Sequence, residues 1–287
     1  MKLSNSQTFR WPYQVRQATE VPDNFKVIVK EAVQDRRPEI GFFIPPVEDA
    51  WVTRRARESY VLMLFDSPAQ LFVFTEDRYS QVNVVSFTPQ QIRMFTQATG
   101  LLLGQIEFVL AVPGTFISIC YKHSVEPYLK PLVVRLLCLW LEVACGGAEG
   151  PHFPGNLPYR YQTGLGYFFP ADSPILSTIY HPEGEVRLGF LRRRKILDSF
   201  WVLTQSALIV IRQADHQHWG YTTLFVSTKN LLPFHTQSDL KTNLGVVGIR
   251  VKDTDEIVKV PVQIGYMERF LSMSEKIREN FGSHSEE

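Results

Sequence analysis

The stretch LGQIEFVLAVPGTFISICYKHSVEPYLKPLVVRLL, residues 103–137, decides the fold, because its pattern returns in LGVVGIRVKDTDEIVKVPVQIGYMERFLSMSEKIR, residues 244–278. Leu103-Gly104 aligns with Leu244-Gly245, an offset of 141 residues that holds without a gap. Phe108 then falls on Ile249, Leu110 on Val251, Ile117 on Val258 and Ile119 on Val260. Leu129 falls on Phe270, Leu132 on Met273 and Leu136 on Ile277. Identities are few, but apolar positions coincide across a strand, a turn, a strand and a helix. Such self-similarity at fixed spacing is the mark of one module used twice.

Working outward, Pro113-Gly114 is a turn dipeptide, Pro setting φ and Gly accepting a positive one. Ser124 is a candidate N-cap, and Pro127 sits where a missing N–H costs nothing. Val125, Tyr128, Leu129, Leu132, Val133, Leu136, Leu137 and Trp140 trace one helical face. Pro131 implies a kink or a start later than Ser124, and Gly146-Gly147 is the expected stop. Upstream, residues 60–65 and 71–75 read as strands around Asp66-Ser67-Pro68, followed by strands over 78–87, 90–96, 101–112 and 115–121.

The second module opens near Ile175. Strands are expected at 196–203, 207–212, 222–227, 230–236, 244–251 and 257–262, then a helix lined by Tyr266, Phe270, Met273, Ser274, Ile277 and Phe281 that stops at Gly282. In residues 1–58, Trp11-Pro12-Tyr13, Val27-Ile28-Val29 and Gly41-Phe42-Phe43-Ile44 look like short strands. The expected organisation is an N-terminal segment (1–58) that contributes strands to a module, a first module (59–145), a Gly/Pro/aromatic linker (146–174) and a second module (175–287). The fold class is α+β, mostly β: antiparallel strands with a helix covering what they leave open.

The chain has 287 residues, 45% of them hydrophobic, enough for two cores. Thirty basic and 29 acidic residues leave a net charge of +1, so nothing global attracts nucleic acid and none is expected as a partner. The longest apolar run, 132–145, contains Arg135 and Glu142 and is too short to span a bilayer. Residues 1–6 lack an apolar leader. Three cysteines, Cys120, Cys138 and Cys145, without a C-x-x-C pair argue for reduced thiols in a cytoplasmic protein and against a disulfide framework or zinc site.

Strands in a meander followed by a helix, as in Ile117-Ser118-Ile119-Cys120-Tyr121 through Tyr128-Leu129-Lys130-Pro131-Leu132, resemble a pleckstrin-homology-like (PH-like) domain. The segment 189–212, a basic strand leading to Trp201-Val202-Leu203-Thr204 and Ala207-Leu208-Ile209-Val210, resembles the opening of such modules in uncharacterised bacterial proteins with tandem PH-like domains. The resemblance covers residues 60–142 and 175–281. It implies two PH-like modules, each an antiparallel sheet or half-barrel with a C-terminal capping helix. It also implies a binding scaffold for lipid headgroups, peptides or partner domains, with no catalytic residue and no cofactor.

The densest local charge is Arg192-Arg193-Arg194-Lys195, with Arg187 before it. These five residues are the candidate anion-binding site: in a strand Arg192 and Arg194 share one side, Arg193 and Lys195 the other. The competing reading is a solvated strand end balanced by nearby acids, and the next strand offers only Asp198. Arg54, Arg55 and Arg57 are nearly neutralised by Glu48, Asp49 and Glu58. Asp215, His216 and His218 lack the four-ligand set of structural zinc, so no metal is expected. Cys120, His123 and Glu126 have the types of a thiolate site, but a strand cysteine beside a helix-start histidine explains them. Gly164-Leu165-Gly166 lacks a third glycine. Tyr159-Arg160-Tyr161 and Phe9-Arg10-Trp11 read as packing aromatics rather than base-stacking platforms.

The expectation is a non-catalytic binding protein for a partner protein or an anionic lipid headgroup, cytoplasmic and peripheral to the membrane where the patch is used. Two rivals stand beside it. An exposed sheet edge would recruit a peptide strand or a second copy, or an enzyme site would lie in the cleft between the modules, near residues 159–169.

Overall fold

The computed structural model describes residues 11–34, 36–47, 58–100, 102–112, 114–144, 158, 161, 173–187, 193–213, 220–254 and 257–282. The chain divides into two compact units. One comprises residues 1–89, 102–105 and 119–136, the other residues 90–101, 106–118 and 137–287. Most of the described chain is antiparallel strand, with three α-helices.

In the first unit, α1 (Asp23–Val33) follows Pro22 and carries Asp23 in its first turn, where a carboxylate suits the N-terminal dipole. Phe25, Val29 and Val33, spaced by four, are its buried stripe. This corrects the strand expected at Val27-Ile28-Val29. The β-branched run suggested a strand, but its members lie on different helical faces, and Val27 is 66% exposed.

Around α1 runs a five-stranded antiparallel sheet in sequence order: β1 (Tyr13–Gln14), β2 (Ile40–Ile44), β3 (Ser59–Asp66), β4 (Ala69–Glu76) and β5 (Val82–Phe87). Val61, Met63, Phe65, Phe72 and Phe74 join the helix stripe in one core. Tyr60, Leu62 and Leu64, on the opposite face of β3, are buried as well. That two-sided burial is why the strand reads as an unbroken apolar run. The β3–β4 register closes at Asp66↔Ala69 across Ser67-Pro68, whose peptide is cis.

The remaining strands are β6 (Ile92–Thr99), β7 (Leu103–Leu110), β8 (Phe116–Lys122), β9 (Ile175–His181), β10 (Gly184–Arg187), β11 (Arg193–Ile196), β12 (Ser199–Thr204), β13 (Ala207–Gln213), β14 (Tyr221–Ser227), β15 (Leu231–Asp239), β16 (Leu244–Val251) and β17 (Ile257–Gln263). Seven form one sheet in the order β8-β7-β6-β14-β13-β12-β9. β10 and β11 make a hairpin, and β15-β16-β17 a three-stranded sheet. The second unit's core gathers Trp201, Leu203, Leu208, Val210, Val247, Ile249 and Val262 with Phe270, Met273 and Ile277 of the last helix, α3 (Met267–Phe281). Trp201 meets Phe270 edge-on at 4.9 Å between ring centroids and Phe234 at 5.7 Å, a favoured aromatic geometry.

Element bounds coincide at the offset of 141 residues. β7 corresponds to β16 and β8 to β17; the 3-10 turn His123–Val125 corresponds to Ile264–Tyr266, and α2 (Glu126–Leu141) starts where α3 does. Gly104 and Gly245 occupy matching places. A Cβ on Gly104 would collide with the Tyr121 ring, and one on Gly245 with Met267 and Val262. Tyr121 and Val262 are themselves 141 apart.

α2 begins at Glu126, the later start that is one of the two readings Pro131 allows, and contains that proline. It departs from expectation at two points. It ends at Leu141 rather than at Gly146-Gly147, with Glu142 at φ 55°. Tyr128, expected on the buried face, is 51% exposed.

Candidate functional site

The basic cluster lies on the β10–β11 hairpin, in the register Glu185↔Lys195, Val186↔Arg194 and Arg187↔Arg193. Side chains opposite each other in an antiparallel pair share a face. Arg193 and Lys195 therefore project with Glu185, and Arg194 with Val186. Arg193 pairs with Glu185 at 3.5 Å and Lys195 with Glu183 at 2.8 Å. Arg194 is exposed and Val186 buried. Arg192 lies outside the described residues, as do Arg54, Arg55, Arg57, Asp215, His216, His218 and the segment 164–166. Asp198, between β11 and β12, is fully buried and so contributes no surface charge.

A second cationic site was hidden in the part of the sequence that read least clearly. A pocket of about 380 Å³ in the first unit is lined by Gln17, Thr19, Lys26, Lys30, Gln34, Arg36 and Arg37. Lys30 lies one helical turn after Lys26, so α1 presents both ammonium groups on one side. The Arg36 guanidinium stacks on the Phe65 ring at 4.2 Å, and its Nη1 donates to Gln70 Oε1 at 3.4 Å. Its Nη2 is buried without a hydrogen-bond partner among the described residues. Lys26 pairs with Asp23 at 2.7 Å, but Asp23 is well exposed and weakly holding. No acid lines this pocket among the described residues. The sequence signal for this pocket is the spacing of Lys26, Lys30, Arg36 and Arg37, which puts the two lysines on one side only when residues 23–33 are helical and not, at Val27-Ile28-Val29, a strand.

A pocket of about 520 Å³ in the second unit is rich in hydroxyls: Ser173, Ser206, Ser227 and Thr228, beside Lys229 and Lys252. The hydroxyls bond to one another and to backbone. Ser206 Oγ meets Ser173 Oγ at 2.8 Å, and Thr228 Oγ1 donates to the Gln205 carbonyl at 2.8 Å. Lys229 is held by Glu142 at 2.6 Å. No histidine lines the pocket among the described residues.

His123 is occupied at the start of α2, its Nδ1 3.0 Å from Glu126 Oε2. Burial raises the Glu126 carboxyl above its ordinary range, while His123 pulls it back. Cys120 is half-buried in β8. Tyr60, fully buried, donates its hydroxyl to Glu58 at 2.7 Å. Burial, then Glu58, pushes its phenol well above the usual value. Among the described residues no group of three or more His, Cys, Asp or Glu is placed to hold a metal ion. None of their helices is long and apolar enough to cross a membrane. Of the segment 159–169, only Tyr161 is described. It is buried against Phe200 (5.9 Å), Tyr180 (6.0 Å) and Tyr221 (6.3 Å).

The chain matches no protein-family model, and no curated protein matches it in sequence.

Proposed function

We propose that this chain is a non-catalytic binding protein of two PH-like modules that recognises an anionic group, on a lipid headgroup or a partner protein, at a cytoplasmic surface. The observation that carries the modular reading is the doubled order of elements. The pairing β2-β3-β4-β5 is followed in sequence by β6, β7, β8 and α2, and β9-β12-β13-β14 by β15, β16, β17 and α3. Four strands, three strands and a helix is the order a PH-like module uses. Arg135 and Lys276, again 141 apart, support the duplication. Arg135 of α2 reaches Glu39, just before β2, and Lys276 of α3 reaches the Leu176 carbonyl in β9.

The pocket beside α1 supports the anionic ligand. It gathers four cations and, among the described residues, no acid, and amides at its rim can donate to oxygen. The hairpin at Arg187 and 193–195 is the second candidate, with two of its cations already matched by glutamates.

Co-sedimentation with neutral and anionic vesicles at low and high salt tests the reading. Binding that needs anionic lipid and weakens with salt is expected. Lys30→Ala with Arg37→Ala abolishes it if the pocket is the site; Arg192→Ala with Arg193→Ala and Arg194→Ala abolishes it if the hairpin is. Arg36 is left intact because its stacking on Phe65 is structural. Absence of binding by the wild-type chain overturns the lipid reading and leaves a partner protein, to be sought by pull-down from the native cell.

A further inference from the structure

The strand pairing inside the second unit offers a template for an interaction that the unpaired edges can repeat. β14 pairs antiparallel with β6 from Tyr221↔Thr99 to Val226↔Met94. Phe225 and Phe95 stand directly opposite, ring centroids 5.6 Å apart. In the doubled order of elements, β6 corresponds to β15 and β14 to β5. Neither counterpart has a strand on its outer side among the described residues: β5 ends the five-stranded sheet and β15 the three-stranded one, where α3 takes the Phe234 N–H through Ser274.

Among the described residues no strand covers either edge, and both have a form that invites pairing. β5 contains no lysine, no proline and no bulge, the devices that blunt an edge. It leaves Val84 and Val85 42% and 41% exposed, one on each face. β15 carries Pro233 and a register shift between Leu232 and His235. Its second half, His235–Asp239, pairs regularly with β16. At the offset of 141 those five residues correspond to Met94–Ala98, all of which pair with β14. β5 has no charged residue and the free half of β15 has one carboxylate, so no like charges would face each other.

We propose that the occupant of each edge is a second copy of this chain: β5 of one copy adds antiparallel to β15 of the next, head to tail, repeating the β14–β6 pairing. The inference rests on the strand correspondence and is independent of the anion proposed above. One strand pair buries less than a standard interface, so the association is concentration-dependent. It is strengthened where two copies exchange both edges and close on themselves.

Light scattering over a concentration series tests it. The expected mass rises to a multiple of the 33.0 kDa chain. Val84→Lys with Val85→Lys blocks β5, and Thr236→Lys with Gln237→Lys blocks β15. Each variant alone is monomeric, with a wild-type circular dichroism spectrum. An equimolar mixture restores a dimer of one of each, because each supplies the edge the other lacks. A wild-type chain that stays monomeric throughout overturns the proposal. So does assembly that survives the β15 variant, which would mean β5 pairs with itself, and so does a mixture that fails to associate. Hydrogen exchange on the wild-type chain needs no variant. Protection at 82–87 and 235–239 should rise together with concentration, and protection that stays flat in either segment overturns the proposal.

Discussion

His181 Nε2 accepts the backbone N–H of Gln263 at 2.9 Å, so the last residue of β9 satisfies the last residue of β17. The imidazole is fully buried and meets the Tyr266 ring edge-on at 4.8 Å. An acceptor Nε2 requires the proton on Nδ1 and a neutral ring. Burial pushes the pKa down from 6.5 to about 4.

The unfolded chain therefore takes up this proton more readily than the native one. Stability attributable to His181 is full above about pH 6.5 and declines as pH falls toward 4, by about 2 kcal/mol over that window. Urea unfolding at pH 7 and pH 5 should show the loss. In His181→Gln the pH dependence flattens while stability at pH 7 drops. An equally steep slope in that variant would assign the acid sensitivity to other groups.

Gly104 is required by the Tyr121 ring, which occupies the space a Cβ would fill. Tyr121 is fully buried and cannot swing away. Gly104→Ala should cost about 1–3 kcal/mol through overpacking. Gly245→Ala should cost less, because its nearest obstacle is Met267 Sδ, at the end of a flexible side chain. Denaturant midpoints of the two variants give the order, and the reverse order would refute this account.

What was legible in the sequence was what local spacing determines. The bounds of β16 and the turn into β17 followed from Leu244-Gly245 and the alternation after it, and the last helix from Phe270, Met273 and Ile277. α1 was not, because three consecutive β-branched residues outweighed the spacing of Phe25, Val29 and Val33. The ion pairs of the basic hairpin needed the β10–β11 register, which places Glu185 opposite Lys195 only once the turn is known. The cationic pocket and the partnership of β6 with β14 are non-local. Residues 36–37 and 26–30 converge through the chain's path, and β6 finds a strand more than 120 residues downstream. His181 carried no signal at all, being one histidine at the end of an apolar strand.

Arg135 holds α2 through two carboxylates, Glu39 at 2.9 Å and Asp66 at 2.8 Å. All three are partly exposed, so the network is worth about 1 kcal/mol and is screened by salt. Arg135→Ala should lose that amount at low ionic strength and less in concentrated salt. A loss that is the same at both salts would mean the packing of the arginine stem, rather than its charge, is what matters.

Ser274 completes the backbone hydrogen bonding of β15 where Pro233 interrupts it. The register of β15 with β16 shifts between Leu232 and His235, and the Phe234 N–H donates to Ser274 Oγ of α3 at 2.9 Å. Both residues are buried, so water cannot replace the hydroxyl. At the offset of 141 residues Val133 stands where Ser274 does and Arg93 where Phe234 does, so neither the hydroxyl nor the residue it serves is matched in the earlier stretch. Ser274→Ala leaves a buried donor unpaired and should cost about 1–3 kcal/mol, whereas Ser274→Thr keeps the oxygen and should recover most of it. Amide exchange at Phe234 would accelerate in the alanine variant before global unfolding. An unchanged Phe234 exchange rate would show that this N–H finds another acceptor and that the serine is there for packing alone.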